Sequence, residues 1–218
     1  MFVFLGNSVV DQYLVEATFR DMGSAPATLE AAKAADFYGC LPGHVIETAD
    51  GEQAYVQADM KGTPAWICLP PEQRPAWWRQ KYPHMKKPVC RLLKALYGHP
   101  DAGTYWEEHC HEHTLSVGFH AVEDGWVSCY WHDELRLFLV IYVDDFKLPG
   151  PEKSIKQGWA LLRKGLVIEP ETRIGKLGVA YLGCTQRCFS IMTESGRMAT
   201  VMSYGMEGVS RQLRRQVL

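Results

Sequence analysis

The segments of this chain predict an α+β fold, with helices packed on an antiparallel sheet. Two observations carry that reading. Helical and strand-like stretches follow one another in mixed order, and the strongest strands are joined by short polar turns instead of the long crossovers that parallel strands need. A third bounds it: 218 residues, 47% hydrophobic and 22% charged, suffice for one or two domains with a proper core.

Taken in order, the alanine-rich run from Pro26 to Phe37 predicts a helix capped by Ser24 and stopped at Gly39. A short strand follows over 45–49 and ends on Asp50. Residues 62–88 are rich in Pro and aromatic side chains and predict a loop-rich insertion. Asp101 caps a second helix that runs through Tyr105, Trp106 and Cys110 to about Val117, with Gly118 as its stop. A hairpin is predicted next, with strands over 126–131 and 135–143 around a polar turn. Phe146 to Leu148 can pair back before Pro149-Gly150-Pro151 interrupts the pattern. A third helix is expected over 152–164, strand-like pieces over 166–168 and 179–184, and a basic helix over 198–218.

The net charge of −2 excludes a polycation, so any nucleic-acid surface has to come from local segregation of charge. One such segment is evident. Between Arg74 and Lys94 there is no acidic residue, while Arg79, Lys81, Lys86, Lys87 and Arg91 are basic and Trp77 and Trp78 offer stacking surfaces. No apolar stretch reaches the roughly 18 residues of a membrane span. Met1 to Leu5 lacks the basic flank of a signal peptide. Seven scattered cysteines suit a reducing compartment. The expectation is an intracellular protein, cytoplasmic or nuclear, neither secreted nor membrane-bound.

Tyr142-Val143-Asp144-Asp145 is the most informative segment. Two adjacent aspartates after an apolar strand are costly to hold together unless a cation neutralises them, and magnesium takes such hard oxygen ligands. Adjacent residues of a strand face opposite ways, so a two-metal site needs a further carboxylate from another strand. Asp50, at the end of its own strand, is the candidate. A solvated turn is the bland alternative.

Tyr142-Val143-Asp144-Asp145 resembles the signature of reverse transcriptases, and three further blocks resemble the copia-type retrotransposon branch in the same order. These are Asp50-Gly51-Glu52-Gln53-Ala54-Tyr55-Val56, Val89-Cys90-Arg91-Leu92-Leu93-Lys94-Ala95-Leu96-Tyr97-Gly98, and Tyr181-Leu182-Gly183-Cys184. Together they span roughly residues 2–186. The resemblance implies an RNA-directed DNA polymerase domain of a Pol polyprotein. Its palm would carry Asp50, Asp144 and Asp145 as ligands of two Mg2+ ions, and its partners would be a primed RNA or DNA template and deoxynucleoside triphosphates. Tyr55 matches the aromatic position that excludes a ribose 2′-hydroxyl. Lys86, Lys87, Arg91, Lys94, Tyr142, Leu182 and Gly183 fall where the family meets nucleic acid. The implied layout is partial fingers over 1–44, palm over 45–60, a fingers insertion over 61–88, palm again over 89–186, and the start of a thumb over 187–218.

Two departures stand out. Asp101 occupies the position where the family has a glutamine beside the incoming nucleotide. The family's triphosphate-gripping basic residues would precede Phe2, and its thumb would begin only after about Phe189. The resemblance therefore also admits a truncated, catalytically inactive remnant with at most nucleic-acid binding. His109-Cys110-His111-Glu112-His113 suggests a third reading, a zinc-binding interaction domain. No second ligand cluster with matching spacing accompanies it, and structural or solvated histidines are expected; Cys184 and Cys188 are read as buried thiols.

Overall fold

The structure, a computed structural model, describes residues 26–206 together with Val9, Val10, Tyr13 and Val15. Along the chain its elements are α1 (Leu29–Gly39), β1 (His44–Asp50), α2 (Ala54–Gln57), β2 (Trp66–Cys68), α3 (Ala76–Lys81), β3 (Val89–Arg91) and α4 (Ala102–Ser116). There follow β4 (His120–Ala121), β5 (Cys129–His132), β6 (Leu137–Tyr142), β7 (Asp145–Pro151), α5 (Glu152–Leu162), β8 (Thr172–Arg173), β9 (Val179–Tyr181), β10 (Cys184–Met192) and β11 (Met198–Gly205). The predicted α+β class with antiparallel sheets holds. The chain divides into two compact units, Met1–Ser24 with Gln53–His109, and Ala25–Glu52 with Cys110–Leu218.

The second unit is built on a six-stranded sheet of order β4-β5-β6-β7-β1-β8, antiparallel throughout. α1 covers one face. Its buried residues, Ala31, Ala32, Ala35, Asp36 and Gly39, recur at helical spacing. They are small, and closeness is the reason: a Cβ at Gly39 would fall inside the Ile46 side chain of β1. The helix starts later than the sequence suggests. Ala27 is still extended, its N–H donating to the Ile141 carbonyl, and the Thr28 hydroxyl caps the helix by accepting from the Ala31 N–H at 3.2 Å. Ser24 lies outside the described residues.

α5 covers the opposite face through Ile155, Gly158, Trp159 and Leu162, and the Leu137 and Leu148 side chains fill the space a Cβ at Gly158 would take. Leu137, Leu139, Val140, Phe146 and Leu148 are fully buried between the helices. At burial worth roughly 1.5–3 kcal/mol per large side chain, this β6–β7 ribbon is the core of the unit. The Trp159 indole donates to Glu47 Oε2 at 3.0 Å, and Arg173 holds the other Glu47 oxygen.

Several predicted boundaries are corrected. β5 begins only at Cys129 and β6 only at Leu137, because Ser128 and Arg136 take positive φ (55° each) as turn residues. Pro149-Gly150-Pro151 does not interrupt β7 but pairs with His44–Ile46. β6 pairs only as far as Lys147, so the prolines face no ladder partner on that side and lose no hydrogen bond there. Residues 166–168 contribute a single bridge, Gly51 to Ile168. The strand expected over 179–184 is folded in two by a tight turn at Leu182 and Gly183, both at positive φ (47° and 73°). Met198–Gly205 is a strand and not a helix, paired residue by residue with β10; 207–218 lie outside the described residues.

In the first unit, Ala58, Ala95, Ala102 and Tyr105 form a small core with Tyr55 and Met60. β2 and β3 make a two-stranded ribbon, and the aromatic-rich insertion is mostly loop, as expected, with one six-residue helix. α4 starts just after Asp101. Its end follows the prediction: Gly118 takes φ +97° and the Phe119 N–H reaches back to the Thr114 carbonyl, a Schellman-type stop.

Candidate active site

β1 and β7 are neighbours in the sheet, and their register sets Asp50 directly opposite Asp145. Asp145 is also the partner of Tyr142 across the β6–β7 turn. The Tyr142–Asp145 segment is therefore a two-residue turn, with Val143 and Asp144 at its tip. Val143 takes φ +56°. A β-branched residue in the left-handed region stores on the order of 1–3 kcal/mol, and such strain clusters at functional sites. The Asp144 carbonyl accepts from the Gly51 N–H at 2.7 Å, which ties the turn to the residue after Asp50.

Three carboxylates thus lie at one end of adjacent strands. The cost is visible on Asp145, whose pKa is pushed up to about 6 by burial first, then by the charges of Asp50 and Asp144 and a hydrogen bond with Asp50. Hard oxygen donors with mutual repulsion are what a divalent cation neutralises, so the pair Asp50–Asp145 fits a magnesium ion. Among the described residues no group of three or more His, Cys, Asp and Glu side chains is arranged to hold a metal ion as it stands. Asp144 is solvent-exposed at the tip of the turn.

Tyr142 and Leu182, both exposed, line one cavity of about 430 Å³ together with Tyr181, the N-terminal turn of α1 and Val140. Two separately predicted contact segments are thereby brought together, beside the strand end that carries Asp145. Gly183 sits at the adjacent turn. The remaining predicted residues belong to the other unit. Tyr55 packs against Tyr97 with ring centroids 4.6 Å apart and the planes tilted by 40°. Asp101 accepts from the Tyr105 hydroxyl at 3.4 Å. Lys86, Lys87 and Arg91 are exposed, whereas Lys94 is paired with Asp59 at 2.6 Å and bound to the Gln57 carbonyl.

Sequence reasoning missed a buried charge network on the same face. Lys147, two residues after Asp145, is fully buried and donates to Asp36 Oδ1 at 2.7 Å and Gln186 Oε1 at 2.9 Å. Its ammonium lies 4.2 Å from the Tyr181 ring centroid, and the Tyr204 hydroxyl donates to the other Asp36 oxygen at 2.8 Å. Burial pulls the Lys147 pKa down and Asp36 partly restores it. The Tyr181 hydroxyl, buried without a hydrogen-bond partner, has its pKa raised by burial and then by the nearby Asp145. One signal could have found the network: Asp36 falls on the buried stripe of α1, and Lys147 alternates with Phe146 and Leu148.

The histidines of α4 have structural partners. His113 Nε2 is 2.8 Å from the Leu162 carbonyl, His111 Nδ1 is 3.2 Å from the Tyr130 hydroxyl, and His109 lies against Trp106. Cys188 is half-buried and shares a hydrogen bond with Cys40, whose pKa burial pushes up to about 12.

No family model matches the chain, and no curated protein matches it in sequence. Among solved structures it has a distant likeness to a telomerase from Candida albicans, determined in complex with a TWJ fragment of telomeric RNA. The identity is 11% and the TM-score 0.38, covering 74% of this chain and 33% of that one. The chain thus spans about a third of the telomerase chain, and nothing about function rests on so low a score.

Proposed function

We propose that this chain carries the palm of an RNA-directed DNA polymerase of the copia-type retrotransposon branch. The observation that carries the reading is the pairing of Asp50 with Asp145 across β1 and β7, with Asp144 in the adjoining turn. The ordered sequence blocks support it independently, because the Asp50 block and the Tyr142-Val143-Asp144-Asp145 block, some ninety residues apart, meet at one strand end.

In this reading Asp50, Asp144 and Asp145 would together hold two magnesium ions, Asp144 turning inward to join the paired carboxylates. Bound magnesium supplies activation of a primer 3′-hydroxyl and stabilisation of the departing pyrophosphate. The chain's own residues position the reactants. Tyr142 and Leu182 seat the primer end along their shared cavity, with Gly183 in the turn beside it, and Tyr55 excludes nucleotides bearing a 2′-hydroxyl. Lys86, Lys87, Arg91 and Lys94 meet template phosphates, where each charge-assisted contact contributes about 1.5–3 kcal/mol. Asp101, turned to Tyr105, stands where a carboxylate aimed at a triphosphate would repel it.

The test is primer extension on a primed RNA template with magnesium and four deoxynucleotides. The wild-type chain is expected to incorporate nucleotides and Asp144→Asn to incorporate none. Incorporation that survives in Asp144→Asn overturns the assignment.

A further inference from the structure

A second cavity, of about 660 Å³, opens at the other edge of the six-stranded sheet, over β4, β5 and the start of β6. It is remote from the carboxylates along the ribbon. Phe138, which lines it, precedes Tyr142 by four residues on β6, or roughly 13 Å of strand. Four aromatic rings line this cavity: Tyr38 from α1, Trp126 from the loop before β5, Trp131 from β5, and Phe138 from β6. They are set edge to face in two pairs, Tyr38–Trp131 at 5.5 Å and Trp126–Phe138 at 6.3 Å between centroids.

The polar tips of two rings are tied off elsewhere. The Tyr38 hydroxyl donates to the Arg136 carbonyl at 2.8 Å, and the Trp131 indole N–H donates to Asp133 Oδ1 at 3.0 Å. Those side chains can therefore offer ring surface to an occupant. Such surfaces carry a negative quadrupole that attracts cations, and Trp131 already holds one, with the Arg136 guanidinium 5.8 Å from its centroid.

The charged lining has the same sign preference. Glu123 lines the cavity, and neither Lys nor Arg does. The lining His120 is paired with Asp133 at 3.4 Å, so its charge when protonated is met by a carboxylate. With Glu123 as its one carboxylate and no Lys or Arg, the lining offers nothing to hold a phosphate, which separates this cavity from the polymerase reading. The volume far exceeds a single ammonium head and lies in the range of small-molecule sites, so the ligand needs an apolar body as well.

We propose that this aromatic cavity binds a small organic cation: an alkylated ammonium group, held against Trp126 and Trp131 and balanced by Glu123, joined to an apolar or aromatic body. The experiment is calorimetric titration of the full chain with benzyltrimethylammonium and, separately, with its uncharged isostere neopentylbenzene. The expected result is saturable binding of the cation, roughly tenfold tighter than the isostere, as befits a partly desolvated cation–π site. Trp126→Ala and Glu123→Gln should each weaken it severalfold while circular dichroism stays that of the wild type; both positions are on a loop. Equal affinity for the uncharged isostere would reduce the site to an apolar cavity and overturn the proposal. So would the absence of saturable binding at millimolar cation by the folded chain, or binding indifferent to both substitutions. None of these readouts depends on polymerase activity.

Discussion

Asp145 is half-buried, and its charged form is opposed by desolvation and by two neighbouring carboxylates. Its pKa in the folded chain, about 6, lies above the ordinary value of 3.8. Between those values the folded chain binds more protons at this site than the unfolded chain, so stability falls as pH rises through the window and the loss is complete above it. Asp145→Asn removes the charge. Without divalent ions it should stabilise the chain at pH 7.5 by on the order of 1–2 kcal/mol, discounted for partial exposure, and give no gain near pH 4. Urea denaturation at the two pH values checks this; an equal gain at both would show that charge is not the cause. The pair itself was legible in sequence, because each aspartate ends an apolar or alternating run. Its consequence for Asp145 was not, because burial is set by β6 and β1 on either side and not by neighbours in the chain. The strain at Val143 was equally hidden, since nothing in a valine announces a positive φ.

Among the elements, α1 is joined to β7 by one buried ion pair, and the same lysine reaches β10 by a hydrogen bond to Gln186. Lys147 and Asp36 lie 111 residues apart in sequence and 2.7 Å apart in space. Removing one partner of such a pair strands the other without compensation, which typically costs about 3–5 kcal/mol, whereas replacing both by apolar residues is often neutral. Lys147→Met should therefore cost about that much, and Lys147→Met with Asp36→Leu should recover most of it. Denaturation of the two variants checks this, and a single substitution costing under about 1 kcal/mol would contradict the role given to the pair. Helix and strand types came through from periodicity for α1, β1, α4, β6 and α5. The failures have a common source. Pro149-Gly150-Pro151 reads as a break until the register shows that its outer side is unpaired, and Met198–Gly205 reads as helix until β10 supplies the partner strand. Pairing partners distant in sequence decided both.

In the whole molecule the net charge is only −2, yet one segment, 74–94, is basic and holds no acidic residue. Lys86, Lys87 and Arg91 are exposed in one unit, while the paired carboxylates stand in the other. Neutralising the three basic residues together should weaken nucleic-acid binding about equally for unrelated sequences. The salt slope of log affinity should also become shallower by up to about 3, read by titration at several salt concentrations. An unchanged slope would remove that surface from the account. Asp50 and Asp145, opposite one another on β1 and β7, are proposed as a cation site. Electron paramagnetic resonance of Mn2+ titrated into the folded chain at neutral pH tests it most directly. Bound Mn2+ is expected, displaced by excess Mg2+ and lost in the folded Asp50→Asn, Asp145→Asn double variant. Undiminished Mn2+ binding by that variant, or none by the wild type, would contradict it.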